Sequence, residues 1–207
     1  MRKKVVNILT VGDGSIGKMS FLWAYSKNEI PPDNVPTVFD TYLSTVKVKD
    51  QTVDFKLSDT SSQDDMEGLR AMSYANVDIF LICFSIIDPI SFENVEKKWV
   101  AEIKRYVKQP FIVLVGLKSD LRNNESTNND LSQKNAQPIS YLQGKSKSEK
   151  IGAECYCECS SKSLDSVKSV FDQAFETLFK SKKGCNCNIY LKNQLKQVLY
   201  FLIFKYK

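Results

Sequence analysis

Residues Gly12 to Ser20 read G-D-G-S-I-G-K-M-S, spaced as in G-x-x-x-x-G-K-[ST], the pattern that binds nucleotide phosphates. In that pattern backbone N–H groups surround the phosphates, the lysine reaches the outer ones and a hydroxyl ligates Mg²⁺. Gly12, Asp13, Gly14, Ser15, Ile16 and Gly17 would form the loop and Lys18 the cation, but Met19 stands in the hydroxyl's place, followed by Ser20. A thioether is a soft, weak ligand, whereas Mg²⁺ wants hard oxygen. Ser20 does not substitute, because one step along a helix turns a side chain by about 100°. The chain carries phosphate-binding chemistry with one metal ligand removed.

Such a loop needs a strand before it and a helix after it, since the helix N-terminus adds its positive dipole end to the phosphate site. Val5, Val6, Ile8, Leu9 and Val11 form an apolar run of the kind a buried parallel strand shows. Phe21-Leu22-Trp23-Ala24 after Lys18 is compatible with a helix. Further along, Val46 and Val48 face Val53, Phe55 and Leu57 across Asp50-Gln51 with period-two spacing, which predicts an antiparallel pair. Val77–Phe84 and Phe111–Val115 read as buried strands, and Glu154–Cys159 as a short last one. Phe92, Val95, Trp99, Ile103 and Tyr106 recur at helical spacing, as do Val167, Val170, Phe171, Ala174, Phe175, Leu178 and Phe179. Core packing accounts for these stripes. The expected architecture is α/β: three layers, a mostly parallel six-stranded sheet with helices on both faces.

Size and charge narrow the function classes. The 207 residues suffice for one well-buried domain with little left for a second. Met1-Arg2-Lys3-Lys4 leads directly into the first strand, so no secretory leader is expected, and no apolar run approaches the ~18 residues that span a bilayer. The net charge of +5 is uneven: from Lys180 onward there are seven lysines and no acid, leaving the body 22 basic against 24 acidic residues. A weakly acidic body argues against a nucleic-acid surface, and the basic tail suggests an anionic membrane or an acidic partner. Cys155, Cys157 and Cys159 alternate and would share one face of a strand. Without any histidine, and with C-x-C spacing, they read as buried reduced thiols rather than a zinc site.

Several motifs stand in one order: Gly12–Lys18, Pro36-Thr37-Val38-Phe39-Asp40, Asp59-Thr60-Ser61-Ser62-Gln63, Ser91-Phe92-Glu93-Asn94-Val95, Gly116-Leu117-Lys118-Ser119-Asp120, Pro138-Ile139-Ser140-Tyr141 and Glu158-Cys159-Ser160-Ser161. Together they resemble the Rho/Rac branch of the small GTPases over residues 3 to about 180. The polar segment beginning N-N-E-S-T-N-N-D after Arg122 is similar to the extra helix of Rho proteins. The resemblance implies a GTP-binding switch with GTP/GDP and Mg²⁺ as ligands, signalling to the actin cytoskeleton. It implies that Thr37 ligates Mg²⁺ and senses the γ-phosphate, that Asp59 reaches the metal through water, and that Gln63 orients the attacking water. Asp120 would accept from guanine, Lys118 would lay its stem along the base, and Ser160 and Ser161 would complete the base loop. Asn34, Val35, Pro36, Thr37, Val38, Phe39, Asp40, Thr41 and Tyr42 match the effector segment. Exchange factors, GTPase-activating proteins and effectors are the implied partners.

Departures from the family pattern set expectations of their own. Ser62 replaces a glycine whose amide contacts the γ-phosphate, and an added Cβ restricts the backbone there. Leu117 stands where Asn or Thr ties the base loop to the phosphate loop, Ile30 where an aromatic packs on guanine, and Ser58 where the Rac group has a tryptophan. Each loss is worth about 1 kcal/mol. Weakened Mg²⁺ coupling, weaker nucleotide binding and slow hydrolysis are expected. The alternative is a pseudo-GTPase, an interaction module that does not cycle nucleotide. Residues 1–180 form the expected GTPase domain and 181–207 a basic, hydrophobic extension. That extension has Cys185 and Cys187 but no C-terminal CaaX box, so a cytoplasmic protein without prenylation is expected. Its run Val198–Phe204 reads either as an interfacial anchor or as an extension without an evolved role.

Overall fold

The computed structural model describes residues 5–32, 41–48, 51–60, 62–63 and 66–184. The residues at 33–40, Ser61 and 185–207 lie outside that set. With them fall the expectations for Thr37, for most of the effector segment, for Cys185 and Cys187, and for the Val198–Phe204 run.

Apolar runs become central strands where the sequence predicts them. β1 (Val6–Val11), β4 (Ile79–Ser85) and β5 (Ile112–Leu117) are buried nearly throughout, as strands covered on both faces must be. The period-two segments form β2 (Tyr42–Val48) and β3 (Gln51–Asp59), paired antiparallel with Val46 opposite Val53 and Tyr42 opposite Leu57. With β6 (Cys155–Glu158), the sheet order is β2-β3-β1-β4-β5-β6, and every pairing except β2–β3 is parallel. β1 therefore lies where the strand order reverses, between β3 and β4. Beyond the carboxyl end of such a strand an open α/β sheet leaves its binding crevice.

On one face of the sheet, α1 (Lys18–Lys27) and α7 (Leu164–Gly184) bury Phe21, Leu22, Phe171 and Phe175. The rings of Phe21 and Phe171 stack at 5.2 Å. On the other face α3 (Pro89–Asn94) continues through a π-helical stretch (Val95–Val100) into α4 (Ala101–Tyr106). Val95, Trp99 and Ile103 point into that second core with Phe80, Phe84 and Ile151, the last from α6 (Tyr141–Ile151). Asp88 starts α3 by accepting from the N–H groups of Ile90 and Ser91, with Pro89 at the first helical position. A reciprocal capping box of Ser140 and Gln143 starts α6.

Some expectations require correction. Tyr106 continues the helical stripe in sequence but is half exposed, because α4 ends there and its hydroxyl turns to Glu67 at 3.2 Å. Val5 lies outside β1 and is 40% exposed. β4 begins at Ile79 rather than Val77, since the Asp78 carboxylate turns to accept the Asn7 N–H at 3.1 Å. The polar segment after Arg122 does hold a helix, as the resemblance implied: α5 (Glu125–Gln133) is capped by Asn124, whose side-chain Oδ1 accepts the Thr127 N–H at 3.0 Å. No helix among the described residues is long and apolar enough to cross a membrane.

Candidate functional site

β1 delivers the chain to Gly12 at the crevice, and the backbone there is one that only glycine adopts without strain. Gly12 has φ 150°, and a Cβ built on it would stand 2.4 Å from the Cys83 carbonyl oxygen. Gly17, at φ 103°, is the last residue before α1. No side chain caps α1 and no acid occupies its first turn, so its leading N–H groups remain available for an anion. Lys18 is buried and folds back over the loop, donating to the carbonyls of Gly12 at 2.7 Å and Asp13 at 2.6 Å. Burial holds its ammonium below the ordinary lysine value, while Asp59, Cys83 and Asp13 oppose that shift. A phosphate in the loop would supply the negative charge this lysine lacks.

Asp59 ends β3 opposite Thr10 of β1. Burial raises its carboxyl above the usual range, with Lys18 pulling the other way. Its Oδ1 is buried without a hydrogen-bond partner among the described residues. A buried carboxylate oxygen lacking a donor beside a lysine fits a hydrated Mg²⁺, which takes oxygen ligands and keeps several waters. Met19, half-buried at the start of α1, offers sulfur instead. The residues present therefore fit the ion on the Asp59 side and fail it at Met19.

The residues expected to hold the base gather at the ends of β5 and β6. Lys118, in a left-handed conformation at φ 61°, donates to the Ser15 carbonyl at 3.1 Å, and its stem lies against Gly17. The tie between base loop and phosphate loop thus comes from Lys118, while Leu117 packs into the core. Asp120 lies in the short turn Ser119–Leu121, with Lys162 at 3.5 Å. The β6 side is held by the Cys159 carbonyl, which accepts the Ser119 N–H at 3.1 Å. Ser160 is buried, its Oγ accepting the Lys162 N–H, and Ser161 follows half-buried. Ile30 is 60% exposed.

The second-switch residues approach from β3. Ser62 Oγ lies 3.3 Å from where a Cβ on Gly14 would stand, so this side chain leans over the phosphate loop. Gln63 is exposed. Thr41 and Tyr42, the described end of the effector segment, lead into β2, where the Tyr42 ring meets Phe55 edge-on at 6.0 Å.

Spacing alone did not single out a second set of contacts. Asp13 accepts from Trp99 Nε1 at 2.7 Å and from Asn94 Nδ2 at 2.6 Å, pinning the phosphate loop to the α3–α4 rod. Arg70, from α2 (Glu67–Ser73), donates to both carboxylate oxygens of Glu102 at 3.0 and 2.7 Å and to the Gln63 carbonyl. Tyr74 also donates to Glu102. A polar residue interrupting an otherwise apolar helical stripe, as Glu102 does beside Ile103, was the available signal.

The sequence matches the Ras family over residues 7–180. That span contains the phosphate loop, Asp59, the base loop and all of the sheet but the first residue of β1, and this chain belongs to the Ras family of small GTPases.

Proposed function

We propose that the protein is a Rho-type guanine-nucleotide switch with weakened metal coupling and slow hydrolysis. Membership of the Ras family implies GTP and GDP as ligands, Mg²⁺, and exchange factors, activating proteins and effectors as partners. The observation that carries the Rho reading is α5, a helix of Glu125–Gln133 standing between the base loop and α6, where Rho proteins have their extra helix. That branch implies signalling to the actin cytoskeleton through residues 34–42.

In this reading the loop amides and Lys18 hold the phosphates, and Asp120 accepts the two donors on guanine's Watson–Crick edge. Mg²⁺ would be held directly by Thr37 and through water by Asp59, and would supply positive charge to the phosphates. Met19 leaves that set one oxygen short. Gln63 presents its amide to the attacking water, a role of position and hydrogen bonding rather than proton transfer.

Base exchange tests guanine selection. Asp120→Asn replaces an acceptor by a donor, which suits xanthine, where an oxygen stands in place of guanine's amino group. A shift in preference from guanosine to xanthosine diphosphate by about two decades is expected, since a polar site rejects a base that leaves its groups unpaired. Unchanged preference contradicts the assignment of Asp120.

A further inference from the structure

We propose that the α3–α4 rod positions Gln63 for hydrolysis, with Lys98 and Glu102 as the residues that do it. This rests on the reading of Gln63 as the water-orienting residue.

The backbone on both sides of the Gln63 Cα is held from the same rod. Lys98 Nζ donates to the Ser62 carbonyl at 3.2 Å, which fixes the peptide plane before Gln63. Arg70 donates to the Gln63 carbonyl, which also accepts the Met66 N–H at 3.3 Å, and this fixes the plane after it. With both flanking planes set, the direction of the Gln63 side chain is reduced to its own rotamers. Arg70 does not move freely, because Glu102 grips it with two hydrogen bonds and Tyr74 adds a third donor to that carboxylate. Both residues of the pair are buried, with 2% and 3% of their side chains exposed.

The rod references the phosphate loop as well. Lys98 Nζ lies 4.5 Å from the centre of the Trp99 ring, and Trp99 Nε1 holds Asp13. The Ser62 carbonyl and the carboxylate of Asp13 are thereby located against two consecutive residues, Lys98 and Trp99, of one helical stretch. That stretch is π-helical, Val95–Val100, a form frequent at functional sites. The alternative role, packing alone, does not require a lysine whose ammonium ends on a second-switch carbonyl.

Single-turnover GTP hydrolysis and GTP release, measured on the full chain and its variants, test this. Lys98→Met keeps the length of the side chain and removes its charged donor, and it is expected to slow hydrolysis about tenfold, the scale of a lost charged hydrogen bond. GTP release should stay within about twofold of the parent, because the lost contact acts on the reacting geometry and not on ground-state binding. Lys98→Arg, which retains a donor, should restore most of the rate. In a Gln63→Leu background Lys98→Met should slow hydrolysis no further, since the two act through one group. Equal slowing in both backgrounds, or a parent rate in Lys98→Met, overturns the inference and leaves the switch reading intact. A parent that binds GTP and never hydrolyses it overturns the inference but keeps nucleotide binding. A parent that binds no guanine nucleotide overturns the switch reading itself.

Discussion

We propose that nucleotide affinity turns on Met19. The fold puts it at the start of α1, directly after Lys18. Met19→Thr restores a hard oxygen, and nucleotide release in the presence of Mg²⁺ should slow by at least about tenfold, the effect of regaining one charged contact. Fluorescent GDP released at the same rate from parent and variant would remove Met19 from the account. This departure was legible in the sequence because the loop pattern fixes the position of each residue type. The anchoring of Asp13 was not. Its partners Asn94 and Trp99 lie 81 and 86 residues away, and periodicity assigns Trp99 only to the core. Trp99 is indeed fully buried, yet a buried indole N–H still needs an acceptor, and Asp13 supplies it. The same holds for Leu117: the sequence shows that it cannot make the usual hydrogen bond, and only the fold shows Lys118 making a tie to Ser15 in its stead.

Among the elements, the α3–α4 rod does most to order the site, and its buried ion pair has consequences for stability. Burial alone would raise Glu102, but hydrogen bonds from Arg70 and Tyr74, with the charges of Arg70 and Lys98, hold it below its ordinary value of 4.5. A carboxyl lowered on folding contributes stability that is present above 4.5 and lost as the pH falls through the lowered value. Glu102→Gln replaces the carboxylate that takes two hydrogen bonds from the buried Arg70 by a neutral amide, so a loss of about 3 kcal/mol at pH 7 is expected. Urea unfolding of parent and variant should show that gap narrowing as the pH drops below 4.5. A gap that stays constant with pH would mean the pair contributes through packing alone. Strands and long helices were legible because their apolar periods are strong and their neighbours agree with them. α5 was less so: it has a single buried residue, Leu131, and its start depends on the Asn124 cap rather than on any apolar period. Tyr106 went the other way, counted with the core by spacing and left at the surface by the end of α4.

Taken whole, the chain divides its charge between a body of net −2 and a tail of net +7. We propose that residues 1–180 act as the GTPase domain and 181–207 as a separate extension that meets anionic surfaces. α7 continues to Gly184, beyond the boundary drawn from sequence, and Leu178 and Phe179 are the last of its described residues packed in the core. Truncation after residue 184 removes four of the seven tail lysines and the Val198–Phe204 run. The shortened protein should keep its nucleotide and melt within about 2 °C of the parent, since it retains every core residue among the described residues. Its binding to phosphatidylserine vesicles should fall sharply, at about 1 kcal/mol per lysine removed. Undiminished vesicle binding would place the membrane contact elsewhere. The alternation of strands and helices was legible in the sequence, but the order of the strands around β1 was not, because which strands pair depends on contacts far apart in the chain. For the proposed guanine-nucleotide switch with a damaged metal site, the deciding measurement is the nucleotide carried by freshly purified protein, together with its release before and after EDTA. Bound GDP or GTP that leaves faster on chelation, by a smaller factor than from Met19→Thr, is the predicted result. An empty site, or release that chelation does not change, would contradict it and favour an interaction module that does not cycle nucleotide.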